Sequence, residues 1–253
     1  MKFIVFFKKD LWEIIKTYRI YVIPAIFIFF GLLSPIVAYL LPDLLESMAG
    51  EVKVELPTPT WREAFQQYFD NLSQIGILAV IFSLMGVISD ERKKGITQLV
   101  FYRPVSRITY VYAKFLAYSL LLMVSIGISY VACLYNTWIL FPRVSIYYTL
   151  FAVFNFLIFT LFIGAITISA SAVVSSNALA GGIGFGSYIL LTILPSLHSF
   201  FAEYSPGILV GKRGEILAGS VELMDMVPAL LITVILSILV IWSSGYIFSY
   251  QEL

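Results

Sequence analysis

Six apolar runs, at about 20–41, 73–89, 108–135, 146–173, 178–197 and 227–249, constrain what this chain can fold into more than any other feature. Roughly 20 apolar residues in a helix cross a bilayer core about 30 Å thick. Within that core every backbone polar group must be bonded inside the protein, so spanning segments are helices or closed barrels. A barrel needs ten-residue strands of alternating polarity, and these runs do not alternate. Only 12% of the 253 residues are charged and 60% are apolar, where a soluble domain carries about a quarter charged residues. The sequence therefore predicts an all-α, polytopic membrane protein with six transmembrane helices, organised as a single transmembrane domain over 1–253.

Charge sets the expected orientation. One side collects eleven basic residues (Lys2, Lys8, Lys9, Lys16, Arg19, Arg92, Lys93, Lys94, Arg103, Arg107 and Lys114) against five acidic ones, a net +6; the other nets −5. Basic residues at span ends mark the cytoplasmic face. Both termini and the loop at 90–107 are accordingly expected in the cytoplasm, with the chain in the cell membrane. The basic residues are scattered beside spans, where lipid head groups are the default partner, so nucleic acid is not an expected partner.

Residues 1–19 form an amphipathic pattern, with Phe3, Ile4, Phe7, Leu11, Ile14, Ile15 and Tyr18 on one helical face and Lys2, Lys9, Glu13 and Lys16 opposite. Such a helix lies in the membrane interface with its polar face toward water and lipid head groups. The run at 20–41 is too long for a secretory leader and sits behind this helix, so it reads as a span. Pro24 and Pro35 are expected to bend it. In the outer segment 42–72, Thr60 and Glu63 match a capping box. Trp61, Phe65, Tyr68 and Leu72 recur on one face after it, predicting a short helix lying on the outer surface. The outer segment 199–226 reads as broken helices dipping toward the membrane. In the fifth run Ala178, Gly182 and Gly186 recur every fourth residue, a spacing that lets helix backbones approach closely.

Several chemistries lack residues to perform them. No ionisable group sits at mid-depth of a span, whereas ion-driven transporters need such groups. The single histidine, His198, has no metal-ligand companions, and the single cysteine, Cys133, excludes a disulfide. There is no phosphate-binding glycine loop. The chain is thus expected to hold no cofactor or metal and not to be an enzyme by itself. It either conducts passively or takes its energy from a partner.

A docking surface for such a partner is legible at 90–107. Ile96, Leu99 and Val100 share a face of a short helix expected over 90–103, led by Asp90 and Glu91 at its positive dipole end. Arg103 precedes Pro104, which stops it. The order Glu91-Arg92, Gly95-Ile96-Thr97, Leu99-Val100, Pro104-Val105-Ser106-Arg107 and Lys114-Phe115 resembles the membrane subunits of ATP-binding-cassette transporters of the type-2 exporter class. Those carry Glu-Arg, Gly-Thr, a Leu-rich pair, Pro-Val-Ser-Arg and then Gly-Lys. Two departures are Ile96 between the Gly and the Thr, and Ala113 in place of the last Gly. The lead helix, the six spans, the Ser175-Ser176-Asn177-Ala178 turn and the broken helices before the last span extend the resemblance along the whole length.

The resemblance implies a permease subunit that borrows ATP hydrolysis from a separate ATPase. It also implies a coupling helix in 90–107, seated in a cleft of that ATPase, and a working assembly of two permeases (homo- or heterodimer) with two ATPases. It implies docking roles for Glu91, Arg92, Gly95, Leu99, Arg103, Pro104 and Arg107, the charges pairing with the ATPase and Leu99 filling its groove. The alternatives are a membrane subunit that transmits force to an extracytoplasmic partner, and a passive channel or assembly protein.

Overall fold

The computed structural model describes residues 2–49, 58–101 and 106–250. Among them there is no strand, and six helical stretches are long and apolar enough to cross a membrane: Arg19–Leu45, Trp61–Lys93, Arg107–Leu140, Ile146–Val173, Asn177–Ser196 and Leu223–Ser249. The protein is an all-α polytopic membrane protein. In chain order its helices are α1 (Lys2–Lys16), α2 (Arg19–Ala49), α3 (Trp61–Asn71), α4 (Ile77–Leu84), α5 (Ser89–Lys93), α6 (Ile96–Phe101), α7 (Arg107–Leu140), α8 (Ile146–Val173), α9 (Asn177–Ile193), α10 (Phe201–Tyr204), α11 (Ile208–Gly211), α12 (Arg213–Ala218) and α13 (Leu223–Ser249).

Helix α8 is largely apolar and mostly buried, sitting at the centre against α7, α9, α13 and α4, with Ile146, Tyr147, Leu150 and Phe154 near its start exposed. Its buried Thr160 and Thr167 hydroxyls donate to the carbonyls of Phe156 and Ile163, each at 2.8 Å, so neither is left unpaired. Helices α2 and α7 form the most extensive contact. Gly31 makes it possible, since a Cβ there would lie 2.5 Å from the Ser129 carbonyl oxygen. Ser129 also donates to the Phe27 carbonyl at 2.5 Å and accepts from the Tyr68 hydroxyl at 3.0 Å, tying α2, α3 and α7 at one point. Pro24, Pro35 and Pro42 all lie inside the continuous helix α2.

The helix at 61–71 differs from expectation. Its capping box forms, with the Thr60 N–H donating to Glu63 Oε2 at 2.9 Å. It does not lie on a surface, however: a π-helical turn at Leu72–Gly76 carries it directly into α4. Phe65, Tyr68 and Leu72 are fully buried, with Phe65 6.2 Å from Tyr130 and Phe69 5.9 Å from Phe156, ring to ring. The opposite face is polar (Glu63, Gln66, Gln67 and Asp70), and the aromatic face is covered by α7 and α8 rather than by lipid.

The small-residue stripe of the fifth span makes no close helix contact among the described residues of the single chain. Within this chain Ala178, Gly182 and Gly186 point outward, and a Cβ added at Gly182 or Gly186 meets nothing within 4 Å. The close approaches are made by their neighbours. A Cβ at Gly184 would lie 2.5 Å from Thr167 Oγ1, and one at Gly181 would lie 2.9 Å from Met85 Sδ. Helices α10–α12 fold back onto the end of the bundle remote from α1, burying Ile208, Leu209, Val210, Ile216 and Leu217 against α3, α8 and α13.

Candidate coupling site

The segment expected to be one helix over 90–103 is two. Helix α5 ends at Lys93, Gly95 adopts φ +70°, and α6 begins at Ile96. That left-handed conformation disfavours residues with a Cβ, so Gly95 is the corner that re-aims the chain. The side chain of Leu99, and Arg103 and Pro104 entirely, lie outside the described residues.

Glu91 does not face solvent. It is 5% exposed, because its position on α5 points it into the junction of α1 and α7. There its carboxylate accepts from Lys114 Nζ at 3.1 Å and from Lys9 Nζ at 3.0 Å, and from the Tyr110 hydroxyl. Lys114 is fully buried and also meets Asp10 at 3.3 Å and Glu13 at 3.6 Å. Residues Asp10 and Glu13 are one turn apart on α1, and Tyr110 and Lys114 one turn apart on α7, so each pair shares a face. A buried ammonium is tolerated only when paired, and here three carboxylates surround it.

Those carboxylates (Asp10, Glu13 and Glu91) have oxygens within 4.8 Å of one another, the spacing of a metal site. Lys114 already stands among them as the counter-cation, so the arrangement works as an ion-pair junction. Three negative groups face two positive ones, Lys9 and Lys114. Burial pushes the carboxyls of both Asp10 and Glu13 above their usual range, opposed by Lys114 and reinforced by Glu91.

The same short segment is stitched to three further elements. Arg92 donates to the Ala172 carbonyl at the end of α8 and lies 5.0 Å from the Phe248 ring of α13. Arg107 donates to the Phe248 carbonyl at 2.6 Å and lies 5.6 Å from the same ring. The backbone N–H groups of Ile88 and Ser89 donate to Ser171 Oγ at 3.0 and 3.1 Å. Asn177 donates to Asp90 at 2.6 Å and accepts from Ser89 at 2.6 Å and Lys93 at 3.1 Å. Among the described residues of this segment the exposed side chains are Lys94, Gln98 and Lys93, the last bonded to Asn177. Within the chain Glu91 and Arg92 have internal partners, because α1, α7, α8 and α13 converge on them.

The profile of the family described as "ABC-2 family transporter protein" matches residues 4–205. The chain belongs to this family. A relative named "Uncharacterized transmembrane protein YxlG", from Bacillus subtilis (strain 168), is 24% identical over 213 residues, covering 83% of this chain and 83% of its own length. The protein is thus a membrane permease subunit of the ABC-2 transporter kind, as its resemblance implied. In this ABC-2 subunit the matched region takes in α1, α5 and Lys114, and so the whole ion-pair junction.

Sequence reasoning named Glu91, Arg92, Gly95 and Arg107 but missed the groups that hold them. Lys114 was read as part of a motif and as one more basic residue, although a lysine seven residues into an apolar span is itself a signal of a buried partner. Asp10 and Glu13, one turn apart on a lysine-rich helix, were a second such signal. Nothing in the sequence pointed to Phe248.

Proposed function

We propose that this chain is the permease half of an ATP-driven exporter, with both termini and the α5–α6 segment in the cytoplasm of the cell that carries it in its plasma membrane. Nucleotide chemistry belongs to a separate ATPase subunit, which engages the open face formed by Lys93, Lys94 and Gln98 together with α6. The single observation that supports this most is the junction at Lys114. Force applied at α5 cannot be absorbed locally, because Glu91 shares its cation with α1 and α7 while Arg92 and Asp90 grip α8, α13 and α9.

In this reading Glu91 and Arg92 are struts that pass movement from the ATPase to the spans. Gly95 is the corner that presents α6 to the partner. Two permeases and two ATPases make the working unit, and the outward stripe Ala178, Gly182 and Gly186 is available to the second permease.

The test separates docking from folding. Lys94→Glu changes an exposed residue, so the purified permease should unfold at the wild-type temperature. Its complex with its ATP-binding-cassette ATPase should be recovered in at least tenfold lower yield. Full recovery of the complex, with ATP hydrolysis still responsive to the permease, would overturn the docking assignment.

A further inference from the structure

At the end of the bundle remote from α1, the polar face of α3 opens onto a cleft that the coupling reading does not use. Glu63, Gln66, Gln67, Asp70, Asn71 and Gln74 line a cavity of about 450 Å³. It shares Asp70 and Gln74 with a second cavity of about 240 Å³, which reaches Tyr188 on α9 and Arg213 on α12. Together they fall in the size range of small-molecule sites.

Depth can be read from the helix itself. A bilayer core of about 30 Å takes roughly 20 residues at 1.5 Å each. Counted back from the charged segment Ser89–Lys93, the far boundary falls close to Asp70. The cleft therefore stands at the level of lipid head groups.

Its floor is fixed by the π-helical turn. Irregular turns of this type interrupt the regular backbone bonding and recur at functional sites. Here the Ser73 carbonyl accepts from the Tyr188 hydroxyl at 2.7 Å, and Ser73 Oγ accepts from Arg213 at 2.7 Å. Arg213 also pairs with Asp70.

The partners already taken define what a ligand would find. Asp70 and Arg213 neutralise one another. Glu63 is held by Thr60 in the capping box, and Asn71 donates to Ser34 at 3.0 Å. Among the described residues no hydrogen bond occupies the side chains of Gln66, Gln67 or Gln74. Each carboxamide offers donors and an acceptor side by side, and each hydroxyl of a polyol does the same. An anionic head group would meet no unpaired cation among the described residues that line the cleft and would face the Glu63 carboxylate. A quaternary ammonium would find Glu63 but offer nothing to the donors of the three carboxamides. Beside the amides, Glu63 and Gln67 also border an apolar groove of about 170 Å³ whose wall includes Leu41, Pro42 and Leu45 of α2.

We infer that this cleft binds an uncharged, polyhydroxylated head group, carried either by a free saccharide or by an amphiphile whose apolar tail lies in the α2 groove. The inference rests on the membrane placement of the permease and not on its ATPase. It is tested on the permease alone in lipid nanodiscs, so failure of the docking assignment leaves it standing.

Binding of octyl glucoside below its micellar concentration is compared with that of free maltose and of a choline-headed amphiphile of equal chain length, by titration calorimetry. The sugar-headed amphiphile should bind at least tenfold more tightly than the choline-headed one. Gln66→Ala/Gln67→Ala/Gln74→Ala should lose at least tenfold in affinity with no change in unfolding temperature. Maltose binding as tightly as octyl glucoside assigns the ligand to the free saccharide; much weaker maltose binding assigns it to the amphiphile. Equal binding of the two amphiphiles, or unchanged affinity in the triple variant, overturns the inference.

Discussion

The two ends of this bundle treat polar groups in opposite ways. At the α1 end, ionic side chains from three helices are driven inward and paired around the buried Lys114, and hydroxyls and amides close the remaining gaps between α5, α8 and α9. At the far end, the amides of α3 line an open cleft, and the ion pair of Asp70 with Arg213 is partly exposed. A buried charge network fixes the relative position of the elements that contribute to it, because separating them strands a charge in a medium that cannot solvate it. An open amide surface imposes no such constraint and leaves bonding capacity for a ligand. One end is built to move as a unit, and the other to be filled.

The largest expected effect tests that contrast directly. Lys114→Met removes the buried shared cation and leaves three carboxylates to the half-exposed Lys9 alone, which should cost about 3–5 kcal/mol of stability. Asp70→Asn, at the exposed pair, should cost less than about 1 kcal/mol. Thermal unfolding of both variants in the same lipid measures the difference. Equal losses would show that the α1 end is no more tightly wired than the far end.

A middle-sized effect concerns α9, which reaches from Asn177 at the closed end to Tyr188 at the open one. A Cβ at Gly184 collides with Thr167 of α8, so Gly184→Ala should destabilise by about 1–3 kcal/mol through overpacking. Gly182→Ala, in open space two positions away on the outward face, should be neutral or slightly stabilising in the single subunit, since alanine is the better helix former. If Gly182→Ala proves the more damaging of the two in purified monomer, the assignment of the inward face is wrong.

The smallest effect is a pH dependence of the closed end. Burial raises Asp10 and Glu13 above their ordinary values of 3.8 and 4.5. Each therefore holds a proton more tightly in the folded protein than in the unfolded chain. That contribution is complete below the ordinary values and is lost as pH rises through the raised ones. Relative to Glu13→Gln, wild-type protein should lose stability over this interval. A wild-type curve that instead gains on the variant through the same window would contradict the electrostatics assigned to Glu13.

How much of this was legible beforehand differs between fold and site. The spans could be read because a bilayer demands long apolar helices whatever they pack against. The helix at 61–71 was readable as a helix from its cap. Its upright placement was not, because the amides opposite its aromatic face could equally have faced water above a flat helix. At the site, the Glu91-Arg92 pair stood out as charge in an uncharged chain. Whether such charge points at water or at a neighbour depends on residues 80 or more positions distant, such as Lys9, Ala172 and Phe248.

Composition and periodicity by themselves determined that this is an all-helical membrane protein with its charge gathered at the span ends, since burying unpaired backbone or charge in lipid is too costly for any alternative. Only the tertiary structure decided which of the shared faces turn inward. It set Gly184 rather than Gly182 against a neighbour, and Glu91 against Lys114. The reason is geometric: a helix repeat fixes which side chains lie together, and the packing of the other helices fixes the direction in which they look.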